Sequence, residues 1–437
     1  SAAIIVSLTV CTLTWGKGDA FAAVLSVHDP QALEALEARG LSFAELLTGR
    51  KAPSNAQIAP GHGYESLVAT LAKDLKRMAR RDPKAGIGTR YAHRLFDARW
   101  LTSPRARFEL VGVLNRLDRG AISSDRCGET RFVYRLAYTS PEGLSSRLPM
   151  TVNLVYWQHG DSCAEVAERW KCHPSPEVSL TLLQSAQGAL VTERLQRKQL
   201  KSVEVNLQSV RWPSTVHPSL GGHAEYLMRV FRPDGDSLAV APLENTPDVS
   251  RLRAKPKLKA DLLAWLTDPL HRESIELGTY LLPERFLATR AVSVTPRGLG
   301  RLSNRPFAQL FTEADFERSP TETAVGQTSG ELTLRRLDGR TCVGCHQSRS
   351  LAGFHLPGED PLDQRLDALA VGRSPHFIDD QSRRRAYMEA VRTGRAPVKQ
   401  QPHPERGEFD GMGARCGLEG SPFLSWTCGD GLVCRHV

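Results

Sequence analysis

Ser202-Val203-Glu204-Val205-Asn206-Leu207-Gln208 alternates apolar and polar side chains without a break. Successive side chains on a strand point to opposite faces. The alternation therefore gives Val203, Val205 and Leu207 a core face and Glu204, Asn206 and Gln208 a wet one. Upstream, Val152, Leu154 and Tyr156 repeat the pattern. Downstream, Glu225 to Arg232, the turn Pro233-Asp234-Gly235 and Ser237 to Ala241 read as a hairpin. Arg131 to Tyr138, following Cys127-Gly128-Glu129, is a further strand. From Phe108 to Ala241 these strands do not alternate with regular helices. That favours an antiparallel α+β arrangement over a doubly wound parallel sheet.

Helical patterns flank this region. Asp29-Pro30 offers an N-cap followed by proline at the first helical position, ahead of Leu33 and Leu36. Ser42 and Glu45 have capping-box spacing. Leu67, Leu71, Leu75 and Met78 recur at helical spacing until Asp82-Pro83, which marks Met78 as core. Leu258, Leu262, Trp265 and Leu266 mark a helix ending before Pro269, and the apolar run Leu281 to Val294 packs inside. Ala2 to Trp15 reads as a buried strand carrying Cys11. Ala20-Phe21-Ala22 imitates a cleavage site, but a basic leader is missing.

Of the 437 residues, 41% are hydrophobic and 24% charged, a balance that fits globular domains rather than a disordered chain. No run of about 18 uninterrupted apolar residues exists, so no transmembrane span is expected. The net charge of +9 is spread along the chain without a nucleic-acid-binding module, so nucleic acid is not an expected partner. Phosphate-binding loops, G-x-S-x-G and H-E-x-x-H are missing, and Arg297-Gly298-Leu299-Gly300 reads as a turn.

The chemistry-bearing stretch is Thr341-Cys342-Val343-Gly344-Cys345-His346, a C-x-x-C-H signature for covalent haem attachment. Thiols three residues apart match the two vinyl groups on one porphyrin edge, and His346 supplies an axial ligand to the iron. Two other readings stay open. The pair is half of a zinc site if His355 and His376 complete it, or a redox disulfide, although Arg335 to Arg340 is not the strand such a motif follows.

On these five positions the chain resembles c-type cytochromes. The resemblance implies one haem c, bound through Cys342, Cys345 and His346, and export to the periplasm or beyond the cell. Such a compartment permits disulfides. Cys163 and Cys172 close a short loop and are candidates for a bridge, while Cys416, Cys428 and Cys434 crowd the C-terminus. The expected layout is an α+β scaffold over residues 1–311, a linker over 312–330, a haem segment of helix and loop over 331–410, and a Cys-rich tail over 411–437.

The sixth ligand sets the potential and the reactivity. The candidates are His355, in a Pro/Gly loop, then His376, then Met412 between two glycines, with His403 also downstream. Met388, beside Tyr387 on a helix capped by Asp379 or Asp380 and stopped by Gly394, reads as core. Upstream, His159 and His223 are candidates for a second site. Asp97 with Arg99 and Arg116 with Asp118 read as salt-bridged scaffold, and no acid/base pair or nucleophile stands out. The leading expectation is mono-haem electron transfer with an acidic redox partner or another cytochrome. The alternatives are a haem enzyme of peroxidase or oxygenase type with an open distal face, and a secreted binding or assembly subunit in which haem or metal is structural.

Overall fold

The computed structural model describes residues 23–58, 63–123, 125–142, 145–173, 175–212, 223–295, 301–317, 330–347, 375–401 and 433. Its centre is the strand quoted above. Among the described residues, ten strands form one sheet: β1 (Ser26–Val27), β2 (Ala85–Gly86), β3 (His93–Leu95), β4 (Ala106–Arg116), β5 (Glu129–Thr139), β6 (Ser145–Trp157), β7 (Leu200–Trp212), β8 (His223–Asp234), β9 (Ser237–Ala241) and β10 (Ala291–Thr295). The main path runs β1-β4-β5-β6-β7-β3-β2, and β8 pairs with β7, β9 and β10. Among the described residues, only the β2–β3 pairing is parallel. The expected α+β class is what the chain adopts. The register places Val152 opposite both Val205 and Tyr134, which stacks one apolar row across three strands.

That row meets helices α1 (Pro30–Leu36), α2 (Phe43–Thr48), α3 (Asn55–Ile58) and α4 (Tyr64–Arg81). Val203, Val205, Leu207, Phe132, Tyr134, Leu154 and Tyr156 share one core with Leu36, Leu46, Leu67 and Leu71. The caps read from the sequence are present: Asp29 accepts from Ala32 N–H, and Ser42 from Glu45 N–H. Buried tyrosine hydroxyls find backbone partners, Tyr134 donating to Leu41 O at 2.7 Å and Tyr156 to Leu46 O at 2.8 Å. A hydroxyl left unpaired there would cost about 1–3 kcal/mol.

The remaining helices are α5 (Cys163–Glu168), α6 (Pro176–Leu183), α7 (Val249–Ala254), α8 (Pro256–Thr267), α9 (Pro269–Leu277), α10 (Gly330–Gly339), α11 (Cys342–Gln347) and α12 (Pro375–Arg392). Leu334 and Leu337 of α10 pack into one core with Leu252, Leu262, Ile275, Phe286 and Phe307. Val343 of α11 joins Met228, Leu243, Ala288 and Ala291, while Phe377 of α12 joins Val111, Leu114 and Val133. Helices α10 to α12 thus take their cores from residues before 311. The side of the sheet that Glu204 and Asn206 share is half-buried rather than wet.

Two sequence readings change. Cys163 bridges to Cys127, not to Cys172, because α5 brings its first residue to the start of β5. Cys172 is disulfide-bonded elsewhere. Asp380 does not cap α12, because the helix starts at Pro375, where a missing N–H costs nothing. Ala2 to Trp15 with Cys11, Arg297 to Gly300, and Cys416, Cys428 and Cys434 lie outside the described residues. Among the described residues, no helix is long and apolar enough to cross a membrane.

Candidate functional site

The motif begins where α10 ends. Thr341 N–H bonds Asp338 O at 3.1 Å, and its hydroxyl donates to the same carbonyl at 2.7 Å. The hydroxyl oxygen then accepts from Gly344 N–H at 3.0 Å, so Thr341 is the N-cap of α11. Cys345 N–H closes the first turn on Thr341 O at 2.7 Å. Gly344 is required for space, since a Cβ there would lie 1.9 Å from Asp338 O. Asp338 anchors the turn by accepting from Phe307 N–H at 2.7 Å, with Arg305 at 3.4 Å. Burial outweighs Arg305 and pushes its carboxyl up to about 7.

Cys342 and Cys345 occupy positions i and i+3 of α11, neighbouring places on one helical face. Both remain thiols and are half-buried. Cys342 N–H donates to Thr246 Oγ1 at 2.8 Å, and its Sγ lies 3.7 Å from Glu244 O. Burial raises the Cys342 thiol well above its ordinary range, and pushes Cys345 up to about 11 against the pull of Arg340 and Arg116.

Beneath α11 the polar side of the sheet carries charge. Glu129 faces Lys201, Arg131 at 2.8 Å and Arg119 at 3.6 Å. Arg131 reaches Glu204 at 3.0 Å, and Arg119 reaches Glu244 at 2.5 Å. Against the cost of burial, Arg119 and Lys201 hold Glu244 down to about 2. Three cations and three carboxylates thus balance in this group. Gly128, at φ +92°, lets the chain enter β5 here, because a Cβ would meet Arg116 O at 2.4 Å.

The pair read as scaffold, Arg116 with Asp118, is present at 2.9 Å and is deeply buried. It leads to α12, where Arg383 bridges Asp118 and Asp380 and Arg384 pairs with Asp380. Local spacing does not reveal this cluster, because Asp118 and Arg383 are 265 residues apart. The one sequence signal was the run of three arginines, Arg383 to Arg385.

His346 falls on α11 and His376 on α12. His355, His403 and Met412 lie outside the described residues. Met388 is core, 1% exposed, with its sulfur 3.2 Å from Asn115 Nδ2. His159 and His223 do not form a second site together. His159 lines a cavity of ≈ 180 Å³ with Trp157, Arg169 and Arg194, whereas His223 sits beside Arg301. No family model, curated protein or solved structure matches this chain.

Proposed function

We propose that the chain carries one covalently attached haem on α11 and exchanges single electrons with a partner protein. One observation carries the reading. Cys342 and Cys345 stay as thiols on one helical face, followed directly by His346, in a chain whose other described cysteines are all in disulfides. The donor set fits the group: two thiols for two thioether bonds and one imidazole for the iron. Bound there, the iron supplies a reversible one-electron couple.

The protein's own work is positional. Thr341 and Gly344 fix the first turn of α11, Val343 pins that turn to the core beside β10, and Thr246 fixes the Cys342 backbone. The Cys127–Cys163 disulfide accords with an oxidising compartment, and the reading includes export to the periplasm or beyond the cell. The net charge of +9 favours an acidic redox partner, with association slowing as salt rises.

The test is a pyridine haemochrome spectrum with an intact mass on denatured protein. A haem-sized increment, lost in a Cys342→Ala/Cys345→Ala variant, is the expected result. Colourless protein of unmodified mass overturns the reading. A low-spin ferric spectrum indifferent to peroxide supports electron transfer, whereas a high-spin spectrum with fast cyanide binding replaces it with an enzyme.

A further inference from the structure

Among the described residues, the second charge group does not balance. Arg116 bonds Asp118 through Nε at 2.9 Å and Nη2 at 3.2 Å. Arg383 bonds Asp118 through Nη2 at 2.8 Å and Asp380 through Nε at 2.5 Å. Arg384 bonds Asp380 through Nε alone, at 2.7 Å. Three guanidiniums share two carboxylates, and the side chains of Asp118 and Arg384 are 1% and 2% exposed. Among the described residues, both Nη atoms of Arg384, and Nη1 of Arg383, are buried without a hydrogen-bond partner.

Buried charge without a counter-charge is costly, and buried N–H groups are nearly always paired. The two Nη groups of a guanidinium present parallel N–H bonds that match the two oxygens of a carboxylate. The Phe377 ring lies 5.7 Å from the Arg384 guanidinium carbon and covers one side of it. The site adjoins the motif. Arg119, on the same turn as Asp118, holds Glu244, whose carbonyl oxygen faces Cys342 Sγ.

We propose that Arg384, with Arg383 and Arg116, forms a buried site for a carboxylate group, gripped through the two unpaired Nη groups of Arg384. A porphyrin propionate and a free carboxylate from solution share this chemistry. The first source rests on the haem reading; the site itself does not.

The experiment uses the full chain, made with and without haem attachment and weighed intact, so the haem reading is decided first and separately. In haem-loaded protein, the propionate source predicts that Arg384→Gln shifts the propionate-bending Raman band and that acetate leaves the melting temperature alone. In haem-free protein, acetate at constant ionic strength raises the melting temperature. Its apparent affinity falls at least about tenfold in Arg384→Gln, the equivalent of one lost charge-assisted hydrogen bond. If the mass shows no haem and this acetate effect persists, the site stands and only the haem reading falls. If Arg384→Gln does not fold, Arg384→Lys, which keeps the charge and loses the fork, serves in both comparisons. If that also fails, acetate against chloride on the haem-free wild type decides. A Raman band that does not move, together with melting indifferent to acetate, overturns the site and leaves water as its occupant.

Discussion

Gly344 and Asp338 meet at the turn that presents the two thiols, and each gives a measurable consequence. A methyl group at Gly344 has to displace the Asp338 carbonyl, which already accepts from both the N–H and the hydroxyl of Thr341. Gly344→Ala should therefore cost about 3 kcal/mol, in the upper part of the range for overpacking. The urea midpoint reads it, and an unchanged midpoint refutes the close approach. Asp338 works through protons. Its carboxyl is raised to about 7 in the folded chain from an ordinary value of 3.8, so the folded state holds a proton that the unfolded state has released. Stability from this group is full below pH about 4 and is lost as pH rises through about 7. Asp338→Asn should flatten that fall in urea titrations taken across the window. Of these residues the two cysteines were legible in the sequence, because their spacing is local. Arg384 was not, since its meaning depends on Asp118 and Asp380 being brought to one place.

Helix α11 is short, and a short helix depends on its cap. Thr341→Ala removes the acceptor for Gly344 N–H and should lower stability by about 1 kcal/mol, while Thr341→Ser should hold it. Equal midpoints for the two variants contradict the cap. Strands and helix starts elsewhere were readable for similar reasons. Period-two alternation picked out β7, and the Asp29 and Ser42 caps marked α1 and α2. The start of α12 was misread because Asp379 and Asp380 also look like caps. Proline at the first helical position is the signal that prevailed, and Asp380 is instead committed to Arg383 and Arg384.

The polar side of the sheet and the disulfide belong to the whole molecule. Alternation predicts that Glu204 and Asn206 avoid the main core, and they do. It cannot say that α11 would cover that side, because covering depends on contacts nearly a hundred residues away. The same distance hid the partner of Cys163. Its bridge to Cys127 spans 36 residues and ties the start of β5 to α5. Replacing both cysteines by alanine should lower stability by about 4 kcal/mol in the chain-entropy account. Denaturation under non-reducing conditions measures it, and a loss near zero shows that the loop is held by packing alone.

The seat of the thiol helix also fixes a sequence in time. Cys342 rests on Thr246 and Glu244, which precede it by 96 and 98 residues, and Val343 rests on Ala288 and Ala291. A chain made from its N-terminus has synthesised those supports long before the motif arrives. The thiol helix thus docks onto a seat whose parts are already made, as one of the last pieces the growing chain supplies.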